Sequence, residues 1–216
     1  MNITSKEINL AKIYLEDRYV EALKTKKNKQ VFDGSYFDRV YLRNPDLWND
    51  KKDVYQQTKF RNLMAALPRL VYNRALDVGC GKGMLTLMLS KRVNDVVGID
   101  FSKKAVGDAR LQCKSSTNIS IRHCDLLKMP AGEQYDLIVC SELLYYLARA
   151  KQEAACKILL NLLSVKGHLM TVAPLFWEDY GKALKESPDL SLLKSEVFEF
   201  PRHLPYRISV FEKLNT

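Results

Sequence analysis

The chain has 216 residues, of which 47% are hydrophobic and 27% charged, and these values suit one soluble globular domain with a full core. Its apolar runs, such as Leu169 to Leu175, are too short to cross a bilayer, and its first residues lack the apolar segment of a signal peptide, so we expect a cytoplasmic protein. The formal net charge of +9 leaves open a nucleic-acid binder, an enzyme for anionic substrates or a solvated basic surface.

The N-terminal third is predicted to form a helical cap or lid, residues 1–70, on an α/β core, residues 71–216, within a single domain. Residues 1–31 have the spacing of an amphipathic helix that either packs on the domain or covers a pocket. Residues 31–53 are aromatic, and Pro45 predicts an irregular segment there. A helical pattern returns over residues 54–67 and ends at Pro68. The aromatic side chains either fill the core or form a wall for cofactor and substrate.

Strands and helices alternate through the remaining chain. The predicted strands are residues 73–78, 95–100, 118–123, 135–141 and 167–173, and the predicted helices are residues 83–93, 103–114 and 149–164, with Ser102 as an N-cap. Such alternation with apolar strands predicts a parallel sheet covered on both faces. Two further strands, residues 196–200 and 207–214, follow without a helix between them and predict a closing hairpin.

The first predicted strand runs into three glycines at alternate positions: Gly79, Gly81 and Gly83. A strand, a glycine turn and a helix in this order are typical of the opening of a nucleotide-binding βα unit. Glycine permits a tight turn and lets a ligand approach the backbone, and the following helix offers free N–H groups. An ordinary turn is the alternative interpretation.

Three acidic residues lie near strand ends. Asp77 stands two residues before Gly79, Asp100 ends the second strand, and Asp125 follows the third. A carboxylate in the place of Asp100 accepts hydrogen bonds from ribose hydroxyls, which supports a nucleoside without choosing the cofactor. Phe101 is then placed to lie against the adenine. The alternatives are a helix cap for Asp100 and a turn cap for Asp125.

The pattern D-x-G-x-G-x-G from Asp77 to Gly83 resembles motif I of the class I S-adenosylmethionine-dependent methyltransferases. The resemblance implies a Rossmann-like α/β fold: a seven-stranded, mostly parallel sheet with one antiparallel strand near the C-terminus and helices on both faces. It implies S-adenosylmethionine as cofactor and S-adenosylhomocysteine as product. In this family the acidic residue at the place of Asp77 holds the loop and the cofactor's amino group, Asp125 would take the adenine amino group, and the backbone of Leu126 would contact a ring nitrogen.

In the same family, the end of the fourth strand faces the transferring methyl group, which makes Ser141 and Glu142 candidates for the site. Glu142 is interpreted as holding the cofactor region, orienting an acceptor amine or taking its proton, and the alternative is charge compensation at a helix N-terminus. The aromatic residues Tyr36, Tyr145 and Tyr146 are candidates for the acceptor pocket, or else belong to the core.

A more specific resemblance rests on five features: Trp48, Tyr55, Lys59, the glycine motif and the Glu142-Leu-Leu-Tyr-Tyr-Leu segment. From Trp48 to Ala173 the chain resembles the nodulation-factor N-methyltransferase group, which methylates the amine of a deacetylated chitooligosaccharide. It implies that Trp48 contacts the cofactor and that Lys59 pairs with its carboxylate, where the family has Arg. The predicted cofactor set is therefore Trp48, Lys59, Asp77, Gly79, Cys80, Gly81, Asp100, Phe101, Asp125, Leu126 and Ser141.

Together these features predict a methyltransferase that modifies an amine or hydroxyl of a small molecule, such as an amino sugar or a natural-product intermediate. Glu142 and His203 are the catalytic candidates, His203 as the base that a hydroxyl acceptor requires. The alternatives are an RNA-directed methyltransferase or RNA-binding module that uses the basic N-terminus, and an NAD(P)-dependent oxidoreductase, which the glycine spacing and the closing hairpin disfavour.

The expected partner is a small-molecule acceptor, without membrane or nucleic acid, and the protein is expected to be a monomer or homodimer. The five widely spaced cysteines contain no C-x-x-C pair and therefore predict reduced thiols rather than a disulfide framework or a metal site.

Overall fold

The computed structural model describes residues 34–43, 53–175, 182–201 and 203–215. The helices are α1 (Gly34–Arg43), α2 (Val54–Ala66), α3 (Met84–Leu89), α4 (Lys103–Cys113), α5 (Arg149–Leu162) and α6 (Lys182–Lys185). The strands are β1 (Tyr72–Val78), β2 (Val93–Asp100), β3 (Ile119–His123), β4 (Tyr135–Ser141), β5 (Leu163–Pro174), β6 (Leu190–Phe198) and β7 (Tyr206–Lys213). Short 3₁₀ turns lie at Leu126–Lys128 and Leu144–Tyr146.

The seven strands form one sheet in the order β3-β2-β1-β4-β5-β7-β6. Strands β1 to β5 are parallel, whereas β7 runs antiparallel to both of its neighbours, β5 and β6. The predicted Rossmann-like class I sheet with one reversed strand is confirmed. Because the order reverses beside β1, the carboxyl ends of β1, β2 and β4 border a crevice in which α/β folds bind ligands.

The central strands are buried on both faces, as their near-continuous apolar sequences predict. Leu76 and Ile138 point into one hydrophobic cluster with Leu159 of α5, whereas Ala75 and Leu137 point into a second cluster with residues of α2 and α3. This alternation of side chains places helices against both faces of the sheet.

At the end of the sheet away from the crevice, the carboxylate of Asp136 links the two central strands. Asp136 accepts hydrogen bonds from the backbone N–H groups of Asn73 (2.9 Å) and Arg74 (2.7 Å), which join β4 to β1. The register of these two central strands is therefore tied at the end away from the crevice.

The structure corrects four boundaries. Residues 34–43 form a helix that ends before Pro45 is reached, so the prediction of an irregular segment is wrong there. Helix α3 stops at Leu89 and β2 begins at Val93. Helix α5 ends at Leu162 and β5 follows immediately, with Lys166 at a positive φ of 61° inside it. Strand β6 begins at Leu190, well before the predicted residue 196.

The five cysteines are free thiols, and all but the half-buried Cys124 are buried. In the described part of the chain there is no group of three His, Cys, Asp or Glu side chains that could hold a metal ion. No helix among the described residues has the length and apolar content needed to cross a membrane.

Candidate functional site

A cleft of about 170 Å³ opens at the carboxyl ends of β1, β2 and β4 and is bordered by α1 and α2. It brings together every predicted cofactor residue that the structure describes: Lys59, Asp77, Gly79, Cys80, Gly81, Asp100, Phe101, Asp125, Leu126 and Ser141. Glu142 and Tyr146 also line it. Trp48, the remaining cofactor candidate, lies outside the described residues.

Two positions of the glycine loop need glycine, for the same two reasons. At Gly79 the backbone has a φ of +75°, and an added Cβ would lie 2.7 Å from Cδ1 of Leu143. At Gly83 the φ is +81°, and a Cβ would lie 3.0 Å from Sγ of Cys113. Left-handed backbone and close packing together exclude a side chain at both positions. The loop is thereby held against α4 and the segment after β4.

Asp77 links the strand before the glycine loop to the helix after it. Its buried carboxylate accepts a 2.6 Å hydrogen bond from Oγ1 of Thr86 in α3. Burial raises the pKa of Asp77 to about 6, although the Thr86 hydroxyl acts in the opposite direction. The side chain joins the end of β1 to the first helical turn, which agrees with the loop-holding role that the family resemblance implies.

Asp100 joins β2 to the glycine loop and to the start of α4. Its two carboxylate oxygens accept from the backbone N–H of Gly81 (3.0 Å) and of Ser102 (2.8 Å). Burial raises the pKa of Asp100. Each carboxylate oxygen has a second lone pair, so these bonds leave acceptor capacity toward the cleft. Ser102, not Asp100, caps α4, since its hydroxyl accepts from the backbone N–H of Ala105 at 3.1 Å.

Asp125 has the turn-capping role that was its alternative interpretation. Its Oδ1 accepts from the backbone N–H of Leu127 at 3.0 Å and starts the 3₁₀ turn Leu126–Lys128. The residue also lines the cleft. Capping and ligand contact are compatible, because the cap occupies a single oxygen of the carboxylate.

Glu142 combines an unusual backbone conformation with polar contacts to Lys59 and Tyr145. Its φ is +56°, which is uncommon for a residue with a side chain, and its N–H donates to the Val172 carbonyl at 2.9 Å. Its Oε1 lies 3.2 Å from Nζ of Lys59, and its Oε2 accepts a hydrogen bond from the Tyr145 hydroxyl. The sequence indicated Glu142 but not its ion pair with Lys59.

Helix α1 covers one side of the cleft and was missed as a helix by the sequence analysis. The ring of Phe37 lies 5.3 Å from that of Phe101 on one rim and 5.6 Å from that of Tyr146 on the other. Asp38 accepts from the Ser102 hydroxyl (2.6 Å) and from the backbone N–H of Lys104 (3.1 Å). Phe37 and Tyr41 both line the cleft, and their four-residue spacing was the signal available in the sequence.

Three predicted residues do not line the cleft. Tyr36 contacts the edge of Phe37, with 5.2 Å between ring centroids. Tyr145 is buried behind Glu142. His203 stacks on Tyr55, with 4.1 Å between ring centroids, and stands outside the cleft wall.

The family model "Nodulation protein S (NodS)" matches residues 36–176. The chain belongs to the NodS family. The predicted resemblance is therefore confirmed at the level of the family, and the match covers most of α1, the glycine loop and the cleft end of β4.

Individual NodS relatives are similar over part of their length. Nodulation protein S of Bradyrhizobium diazoefficiens is 35% identical over 121 residues, which are 55% of this chain and 58% of the relative. The chain thus matches less than two thirds of that relative's length.

A ubiquinone biosynthesis O-methyltransferase of Aromatoleum aromaticum is 36% identical over 92 residues, 40% of this chain and 39% of the relative.

The fold agrees with that of a solved NodS protein. The crystal structure of N-methyltransferase NodS from Bradyrhizobium japonicum, in complex with S-adenosylhomocysteine, matches with a TM-score of 0.76 and 22% sequence identity. The match covers 85% of this chain and 100% of that chain. This similarity confirms the class I methyltransferase fold.

Proposed function

We propose that this NodS-family chain is an S-adenosylmethionine-dependent methyltransferase that acts on the amine of a small molecule. The observation that carries the proposal is the meeting of Asp77, Asp100, Asp125 and the glycine loop at one cleft, with Glu142 on the wall beside them. Family membership and the shared fold with a structure that contains S-adenosylhomocysteine support it.

The donor set of the cleft suits the adenosine part of this cofactor. Asp100 supplies a buried carboxylate for the ribose hydroxyls, and Phe101 follows it on the cleft wall. Asp125 and the backbone of Leu126 are the proposed contacts for the adenine edge. The glycine loop and Ser141 then border the methionine end, where Lys59 offers an ammonium to the carboxylate.

When bound, the cofactor would supply an electrophilic methyl group on a positively charged sulfur. The protein's contribution is alignment of the acceptor and handling of its proton. An amine nucleophile needs only a neutral lone pair, and the Glu142 carboxylate is suited to hold and deprotonate an ammonium group. An amino sugar or an amine-bearing natural-product intermediate is the substrate class that we propose.

Transfer to a hydroxyl is the second candidate, favoured by the similarity to a ubiquinone biosynthesis O-methyltransferase. A hydroxyl needs a base to become a nucleophile. Among the described residues, no histidine lines the cleft, and His203 is stacked on Tyr55 instead. This arrangement supports the amine as acceptor.

Residues 1–70 are proposed to act as a cap on the α/β core. The described part of this segment supports the proposal, since α1 contacts both rims of the cleft through Phe37 and α2 contributes Lys59. The cap would exclude water from the site and limit the acceptor's size.

Methyl transfer from labelled S-adenosylmethionine tests the function. We expect label on deacetylated chitooligosaccharides or on other small primary amines, and none on the N-acetylated counterpart, in which the nitrogen lone pair is delocalised. Label on phenolic hydroxyls and not on amines would favour the second candidate. Strongly salt-dependent label on RNA would favour an RNA-directed enzyme.

A further inference from the structure

The ion pair between Lys59 and Glu142 lies inside the cleft. The Nζ of Lys59 is 3.2 Å from Oε1 of Glu142, and the side chains are 3% and 18% exposed. The Lys59 ammonium also lies 5.0 Å from the Tyr55 ring centroid and 6.0 Å from that of Tyr206. A buried ammonium that loses its carboxylate partner is strongly destabilised. Any second carboxylate that enters the cleft will therefore compete for Lys59.

The strand order shows which end of a ligand approaches this pair. Asp125 follows β3 and Asp100 ends β2, whereas Glu142 follows β4, on the other side of β1. An adenosine group held by Asp100 and Asp125 therefore directs its 5′ substituent toward β4 and α2. Within the described ranges, Lys59 and Lys82 are the cationic side chains on the cleft wall. Lys59 lies at the β4 end, where its ammonium is paired with the Glu142 carboxylate.

The two partners differ in their freedom to move. Glu142 is fixed by a left-handed backbone, by the bond from its N–H to the Val172 carbonyl and by the Tyr145 hydroxyl. Lys59 projects from a regular helix on a flexible four-carbon side chain. Lys59 is therefore the partner that moves.

Resting on the proposed function, we infer that Lys59 exchanges partners when the cofactor binds. Its ammonium leaves Glu142 and pairs with the carboxylate of the cofactor's amino-acid end. The exchange takes the Lys59 cation away from Glu142, so cofactor binding changes the charge that a cationic acceptor meets on this wall of the cleft.

Calorimetry with two ligands tests the exchange. S-adenosylhomocysteine carries the carboxylate, whereas methylthioadenosine has the same nucleoside and sulfur without the amino-acid end. Glu142→Gln should bind S-adenosylhomocysteine about tenfold more tightly than wild type, because Lys59 no longer has to leave a carboxylate. Lys59→Met should bind it about tenfold more weakly, and the double variant should resemble Lys59→Met. Methylthioadenosine affinity should change by less than about twofold in all three.

Lys82→Met is the matched control, since it removes the other cleft cation and should leave the ratio of the two affinities unchanged. The inference would be overturned if Lys82→Met, but not Lys59→Met, lowered the affinity for S-adenosylhomocysteine relative to that for methylthioadenosine. It would also be overturned by an unchanged ratio in Glu142→Gln, or by weaker S-adenosylhomocysteine binding there, which would mean that Glu142 holds the ligand's ammonium. If wild type bound neither ligand, the proposed function itself would fail.

A measurement on the wild-type protein avoids any effect of substitution on folding. S-adenosylhomocysteine should shift the Nζ resonance of Lys59, whereas its decarboxylated analogue, which keeps the amine, should not. Equal shifts with both ligands would contradict the exchange.

Discussion

The backbone N–H of Gly81 donates a 3.0 Å hydrogen bond to Oδ2 of Asp100. This bond connects the middle of the glycine loop to the end of β2. A residue proposed to bind the ribose therefore also fixes the loop that borders the rest of the cofactor. Loss of the carboxylate is expected to affect both functions.

Asp100→Asn should reduce S-adenosylhomocysteine affinity by about 100-fold, because hydrogen bonds to a charged group contribute about 1.5–3 kcal/mol each. Calorimetry measures the change. Asp95→Asn is the matched control on the same strand, since Asp95 is half exposed in an ion pair with Arg74, away from the cleft. Near-wild-type affinity of Asp100→Asn would contradict the ribose assignment.

Substitution by alanine should lower the free energy of unfolding at Gly83 and raise it at Gly107. At Gly83 the φ of +81° and the 3.0 Å approach of a Cβ to Sγ of Cys113 predict a loss of about 1–3 kcal/mol in the free energy of unfolding. At Gly107, inside α4, a Cβ would have no heavy atom within 4 Å, so alanine should add about 0.5–1 kcal/mol. Denaturant unfolding measures both. Equal effects would mean that the loop's backbone conformation is not constrained.

Most of the fold could be predicted from the sequence because its signals are local. The βα alternation, the Ser102 cap and the closing hairpin each depend on a few adjacent residues. The start of β6 could not be predicted, because the residues from Leu190 onward become a strand by pairing with β7, as Leu192 does with Phe211. Such pairing is a long-range property that local periodicity does not contain.

The raised pKa of Asp77 should make the stability of the protein depend on pH. Burial raises its pKa from 3.8 to about 6, so the folded state binds the proton more tightly than the unfolded chain does. The tighter proton binding by Asp77 stabilises the folded state fully below about pH 4, and this stabilisation is lost as the pH rises through about 6. The loss lowers the free energy of unfolding by up to about 3 kcal/mol. Asp77→Asn, which keeps an acceptor for Thr86, should therefore gain stability relative to wild type between pH 4 and 7.

Unfolding in denaturant at several pH values measures this difference. Thr86→Val is the companion variant: it removes the hydroxyl that lowers the pKa of Asp77, so it should lose more stability at pH 7 than at pH 4. A stability difference between Asp77→Asn and wild type that did not vary with pH would show that Asp77 titrates normally.

Helix α1 should slow the release of the nucleoside. Phe37→Ala removes the ring that contacts both Phe101 and Tyr146. We expect S-adenosylhomocysteine to dissociate about tenfold faster, because most effects of lost contacts appear in the dissociation rate. Stopped-flow displacement measures this rate. Leu42→Ala, at an exposed position of the same helix, should leave it unchanged. Equal rates in all three proteins would mean that α1 does not cover the ligand.

The candidate site was predictable wherever a residue's place follows from its strand. Asp77, Asp100, Asp125 and Ser141 all line the cleft because each stands at or beside the end of a strand of the same sheet. The contacts between site residues were not predictable, because they join distant parts of the chain. Lys59 and Glu142, for example, form an ion pair but are 83 positions apart. His203 also follows no strand end of the parallel sheet, and its stacking on Tyr55 depends on how the hairpin packs against α2.

A crystal structure with S-adenosylhomocysteine tests the central claim most directly. The account predicts that both ribose hydroxyls donate to the Asp100 carboxylate, that the adenine lies beside Asp125 and Leu126, and that the sulfur faces the end of β4. A ligand bound elsewhere, or one in this cleft with its ribose away from Asp100, would contradict the account.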